Sequence, residues 1–69
     1  MILREWRKKH EKNQGWLAEQ LGVSQGYISE IERGDKIPSD DIAAKIEEVT
    51  KGNVSFLELK HPKYRAVNG

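Results

Sequence analysis

The sequence predicts an all-α domain of five helices within 69 residues. Three observations carry that prediction. Apolar residues recur at helical spacing in Leu17, Ala18 and Leu21, in Ile28 and Ile31, and in Ile42, Ile46 and Val49. A residue able to cap a helix start (Asn13, Ser24, Ser39 or Ser55) stands before each of the later helical segments. Gly22 and Gly34 stand where two of the patterns end.

Taken in order, the first helix should run from about Ile2 to His10 or Lys12, with Ile2, Leu3 and Trp6 on its inner stripe. Asn13 caps a second helix from Gln14 to Leu21, whose inner face is Leu17, Ala18 and Leu21. Gly22 suits the left-handed residue that ends it, and Val23 plugs the turn. Ser24 caps a third helix from Gln25 to Arg33, which turns Ile28 and Ile31 inward and stops at Gly34. Asp35 to Pro38 is a loop. Ser39 caps a fourth helix, where Asp40 and Asp41 suit the positive N-terminal end. Its core stripe is Ile42, Ile46 and Val49, with Ala43 beside them, and Lys51, Gly52 and Asn53 break it. Ser55 and Glu58 have capping-box spacing, so Ser55 to Leu59 reads as a short fifth helix. An edge strand through Val54, Phe56 and Leu59 is the alternative. Residues 1–60 are expected to form one domain and 61–69 a flexible C-terminal tail. No repeat, low-complexity stretch or linker divides the chain.

Composition narrows the function classes. There is no cysteine, so a disulfide framework and a thiolate metal site are excluded, and a reducing cytoplasm fits. His10 and His61 have no ligand spacing. No apolar run reaches membrane-spanning length, and MILREWRKKH does not read as a signal peptide. The net charge of +1 is weak evidence for a polyanionic partner. Its distribution is uneven: Arg4, Arg7, Lys8, Lys9 and Lys12 crowd the start, the middle is acidic, and Lys60, Lys63 and Arg65 follow the last acid. Lys8, Lys9 and Lys12 read as a solvated face. Asp35, Asp40 and Asp41 are explained by a loop and a helix start, and no catalytic constellation, cofactor motif or small-molecule site stands out, so an enzyme is not expected.

The segment QGWLAEQLGVSQGYISEIERG carries the functional signal. Two helices crossing closely need a small side chain at the crossing, which Ala18 supplies. Such a corner exposes the start of its second helix, a geometry suited to the major groove of DNA. Gln25, Gly26, Ser29 and Glu30 fall on the outer face of that helix, and core packing explains none of them. A glutamine amide matches adenine, its oxygen accepting from N6–H₂ and its nitrogen donating to N7. Gln14 should lie beside Gln25 and near a phosphate, where the backbone N–H groups of a helix start also favour an anion. Lys36 and Arg33 are candidate phosphate contacts, although Arg33 also suits its own helix C-terminus. Trp16 falls on an exposed turn, where its ring would pack on a neighbour or its N–H meet a phosphate.

Residues 3–50 resemble the Cro/cI-type (XRE-type) helix-turn-helix family of phage and bacterial repressors. The resemblance rests on Leu3, Arg7, Gln14, Leu17-Ala18, Leu21-Gly22-Val23-Ser24-Gln25, Ile28-Ser29, Ile31-Glu32-Arg33-Gly34 and Pro38. Residues 46–54 also resemble short Cro-like phage regulators of the YdaS-like branch. The resemblance implies a five-helix, lambda-repressor-like DNA-binding domain with helix three as the recognition helix. It implies a phosphate clamp at Asn13 and Gln14, a base contact from Gln25, base-facing roles for Gly26 and Glu30, and a phosphate role for Tyr27. It also implies an internal ion pair between Arg7 and Glu32. Gly26 and Glu30 depart from an ordinary base-reading face, since one has no side chain and the other is an acid that suits cytosine N4 but repels phosphate.

The expected function is therefore sequence-specific binding of a double-stranded DNA operator by a small cytoplasmic regulator, a repressor working as a homodimer. Phe56, Leu57 and Leu59 are the candidate dimer seam. The rival reading is a protein-interaction module, such as an antitoxin or an anti-repressor, which the low net charge and acidic middle keep open.

Overall fold

The computed structural model describes residues 1–61. Their regular structure is entirely helical: α1 (Leu3–Lys9), α2 (Gln14–Leu21), α3 (Gln25–Arg33), α4 (Asp40–Val49) and α5 (Phe56–Lys60). Of the expected flexible tail, all but His61 lies outside the described residues.

Local chemistry sets the helix starts. The Asn13 carboxamide oxygen accepts from the Trp16 N–H at 2.7 Å. The Ser24 hydroxyl accepts from Tyr27 at 3.1 Å and that of Ser39 from Ile42 at 3.4 Å. Each such cap contributes about 1 kcal/mol. At α5 the box is reciprocal: Ser55 Oγ accepts from the Glu58 N–H at 3.1 Å and Glu58 Oε1 accepts from the Ser55 N–H at 2.9 Å. That exchange decides against an edge strand over this segment, because it spends the backbone donors in a helical turn.

The stops are equally local. Gly22 (φ +72°) and Gly34 (φ +82°) are left-handed, and the next residues close the helices with Val23 N–H to Ala18 O at 3.0 Å and Asp35 N–H to Glu30 O at 2.9 Å. α1 is shorter than the sequence suggests. Glu11 turns left-handed (φ +56°) and the Lys12 N–H returns to Arg7 O at 2.9 Å, so the chain leaves the helix after Lys9.

α2 packs on α3 and on α4, and α4 packs on α5. Leu17, Ile28, Ala43 and Ile46 are fully enclosed, with Leu3, Trp6, Ala18, Leu21, Ile31, Val54 and Leu59 around them. The core stripe of α4 therefore differs from the expected one. Ala43 and Ile46 are its buried residues, while Ile42 and Val49 only flank the core. Ala43 takes the inward position of α4 and is fully enclosed, which leaves Ile42 and Val49 to either side of it.

The candidate dimer seam is also corrected in part. Leu59 is buried with Val54 in the molecule's own core, and Phe56 is half-buried against it. Only Leu57 stands in solvent, 53% exposed. Residues at i and i+2 point to different sides of a helix, so a five-residue α5 cannot present all three on one outer face.

Trp16 packs against a neighbour. Its ring stacks on Trp6 at 6.5 Å, with Lys12 Nζ 4.8 Å from the Trp16 centroid, while His10 stacks on the Trp6 ring at 4.4 Å. The buried Trp6 indole N–H has no hydrogen-bond partner among the described residues. An unpaired donor of this kind costs about 1–3 kcal/mol.

Candidate nucleic-acid interface

The α2–α3 corner is held by an enclosed apolar core and by capped helix ends. Leu17, Ala18 and Leu21 of α2 and Ile28 and Ile31 of α3 are buried, and the turn between them is closed by Gly22 and Ser24. The outer side of α3 is left to polar residues. Gln25 is exposed on its first turn, with its amide resting against the start of α2: a Cβ added at Gly15 would stand 3.6 Å from Gln25 Oε1. Gly26 is also exposed, and an added Cβ there would meet only Ser24 Oγ, at 3.9 Å.

Tyr27, Glu30 and Lys36 form one cluster. Lys36 Nζ lies 3.6 Å from Glu30 Oε1 and 5.5 Å from the Tyr27 ring centroid. The Tyr27 hydroxyl accepts from the Ser39 N–H at 3.2 Å, which ties α3 to the start of α4. Lys36 thereby offsets the one acid on the base-facing side of α3. Ser29, Arg33 and Asp35 form a second cluster, where the Arg33 guanidinium donates to Ser29 Oγ and to Asp35 Oδ2, the latter at 2.9 Å.

Asn13 and Gln14 are both occupied inside the protein. Asn13 is the α2 cap described above. The Gln14 amide nitrogen donates to Glu32 Oε1 at 3.0 Å, so its side chain is drawn toward the internal ion pair rather than standing free beside Gln25. The reason is the pull of a carboxylate that is 4% exposed and still has acceptor capacity.

The Arg7–Glu32 pair is present and bidentate: Nε to Oε2 at 2.8 Å and Nη2 to Oε1 at 2.9 Å. Arg7 Nη1 also reaches Lys12 O at 3.1 Å, which pins the loop between α1 and α2. Burial by itself would push the Glu32 carboxyl up. Hydrogen bonds from Arg7 and Gln14, with the charges of Arg7 and Arg4, outweigh it and hold the carboxyl below its ordinary range. The bond to Glu32 likewise raises the Arg7 guanidinium above its already high value.

Sequence reasoning missed Lys60. Its ammonium donates to Pro38 O at 2.7 Å and lies 2.9 Å from Asp40 Oδ1, so α5 fixes the loop that carries Lys36. No local pattern points to this bond, which spans 22 residues.

An exposed first turn of α3, held out by a closed two-helix corner, defines the helix-turn-helix class. The sequence model of a helix-turn-helix family matches residues 3–57, and the chain belongs to that family, of the Cro/cI type. Its members are sequence-specific DNA-binding transcription regulators. No match was found among the curated proteins or among the solved structures. No helix of the described residues is long and apolar enough to cross a membrane.

Proposed function

We propose that the chain is a small repressor of the phage or prophage Cro/cI kind. It occupies a double-stranded operator in the cytoplasm as a homodimer. Two copies of α3 enter successive major grooves about 34–36 Å apart, the repeat of one DNA turn. Gln25 reads an adenine, Glu30 selects for cytosine, and Gly26 lets the helix approach closely. Tyr27, Ser29, Arg33 and Lys36 position the helix on the phosphates through their side chains, and Asn13 and Gln14 through the backbone N–H groups at the start of α2. The exposed Leu57, next to half-buried Phe56, supplies the apolar contact between the two copies.

The observation that carries this reading is the exposure of Gln25 on the first turn of α3, beside the start of α2. Selection of bound sites from randomised duplex should return a half-site, its inverted copy and their spacing. On that site Gln25→Ala should cost about 1–3 kcal/mol and relax one base position. Equal loss on the selected site and on random duplex would remove Gln25 from base readout. Absence of salt-sensitive DNA binding would favour the antitoxin or anti-repressor reading instead.

A further inference from the structure

Between α1 and the outer side of α3 the surface opens into a polar cleft of about 240 Å³. Arg4, Lys8, Ser29 and Arg33 line it, together with Gln14 and the Arg7–Glu32 pair. Its charges are unbalanced. Arg7 and Glu32 neutralise each other, and Arg33 is shared with Asp35. Arg4 and Lys8 are one turn apart on α1 and face the same way. Both are exposed, and neither has an ion pair or a side-chain hydrogen bond among the described residues. Arg4 lines the cleft beside Glu32 while remaining exposed to solvent.

We infer that this cleft seats a backbone phosphate of the DNA that α3 reads, with Arg4 and Lys8 as its donors. α1 then belongs to the interface, in place of the solvated face that its sequence suggests. Three facts support that occupant. Gln14, Ser29 and Arg33, which the DNA reading already places at the phosphates, share the cleft, so it continues that surface. A guanidinium fork and an ammonium are the donors that suit phosphate oxygens, and using Arg4 and Lys8 breaks no internal pair. The lining is polar and the space is smaller than the roughly 300–1,000 Å³ of pockets for organic ligands.

This inference rests on the DNA-binding reading, and one experiment separates the two. Binding of the full chain to a random duplex is measured by fluorescence anisotropy at several salt concentrations. The doubly substituted Arg4→Gln/Lys8→Gln chain is compared with Lys9→Gln/Lys45→Gln, which removes the same charge at exposed positions outside the cleft. Loss of one seated phosphate lowers the slope of log K against log salt by about 0.9. Across a fourfold rise in salt, the affinity of the cleft variant should then fall roughly 3-fold less than that of wild type, while the control keeps the wild-type slope. A cleft variant indistinguishable from the control overturns the inference and leaves the DNA reading intact. A wild-type chain with no salt-sensitive binding overturns both. The single substitutions Arg4→Gln and Lys8→Gln, with thermal melts, show that any loss comes from folded protein.

Discussion

Replacing Arg7 with leucine tests how α1 is tied to the recognition helix. The substitution removes two charge-assisted hydrogen bonds to Glu32, at 2.8 and 2.9 Å, and the bond to Lys12 O at 3.1 Å. It leaves Glu32, 4% exposed, with only the Gln14 amide at 3.0 Å. Breaking one side of a buried pair costs about 3–5 kcal/mol. Arg7 keeps 12% of its exposure and Gln14 remains as a donor, so the lower end applies, about 3 kcal/mol at neutral pH. A domain of this size has roughly 3–10 kcal/mol of stability in all. The melting temperature should drop by about 12–24 °C, read by far-ultraviolet circular dichroism with urea denaturation as the free-energy measure. The double change Arg7→Leu/Glu32→Leu should recover most of the loss, because the stranded charge goes too. A single-variant loss under about 1 kcal/mol, or a double variant no better than the single, would refute the account.

The same pair sets an acid limb. Glu32 is held below its unfolded value, so its stabilisation is complete above the unfolded carboxylate pKa of about 4.3 and is lost as pH falls through the lower folded value. Without Arg7, the strongest bond holding the Glu32 carboxyl down is gone, and burial moves it up from its wild-type value. The stability gap between wild type and Arg7→Leu should therefore be widest near neutrality and narrow below about pH 4. A gap constant from neutral to acid pH contradicts this assignment.

Two glycines on either side of the turn should respond with opposite signs. At Gly22, φ is +72° with open space around an added Cβ, so Gly22→Ala should cost about 1–2 kcal/mol from backbone conformation alone. Gly26 is helical and uncrowded, and Gly26→Ala should stabilise by about 0.5–1 kcal/mol in urea denaturation; the reverse order would be inconsistent with this backbone. If the proposed homodimer forms through Leu57, which is 53% exposed, Leu57→Glu should abolish it in sedimentation equilibrium while the monomer's fold persists; an unaltered dimer would move the seam elsewhere. Lys36→Gln should weaken random and selected DNA alike and flatten the salt slope by about 0.9, and an unchanged slope strikes Lys36 from the phosphate contacts.

What the sequence made legible divides along a physical line. Asn13, Ser24, Ser39 and Ser55 were readable as caps because each bonds a backbone N–H three residues on, within one turn. Gly22 and Gly34 were readable because left-handed backbone penalises every other side chain. Arg7 and Glu32 are 25 residues apart, and only the family resemblance brought them together. Gln14 was legible as the first residue of α2, but the direction of its amide was not. That direction depends on where α3 places a carboxylate 18 residues away. Leu59 and Ala43 failed to declare themselves for a related reason. On helices this short the buried side is chosen by the partner helix, and the apolar spacing alone admits more than one rotation.

The division bears on how the corner would work. α3 buries Ile28 and Ile31 and packs Tyr27 partly against the core, and the rest of its inner side is polar. Polar ties hold it at both ends. Tyr27 holds the first half of the helix to Ser39, Glu32 holds the second half to Arg7 and Gln14, and Arg33 is steadied by Ser29 and Asp35. These bonds lie between the buried core and the exposed face, and all are made within the protein itself. Ordering side chains at an interface costs about 0.5–1.5 kcal/mol for each flexible one immobilised. A helix whose flanking residues are already fixed avoids much of that cost, and the remaining loss falls on the freely exposed Gln25, Arg4 and Lys8. Removing Gln25, Arg4 or Lys8 should therefore lower affinity with little change in stability, whereas changes at Arg7 or Glu32 should act through stability and through the angle at which α3 is offered.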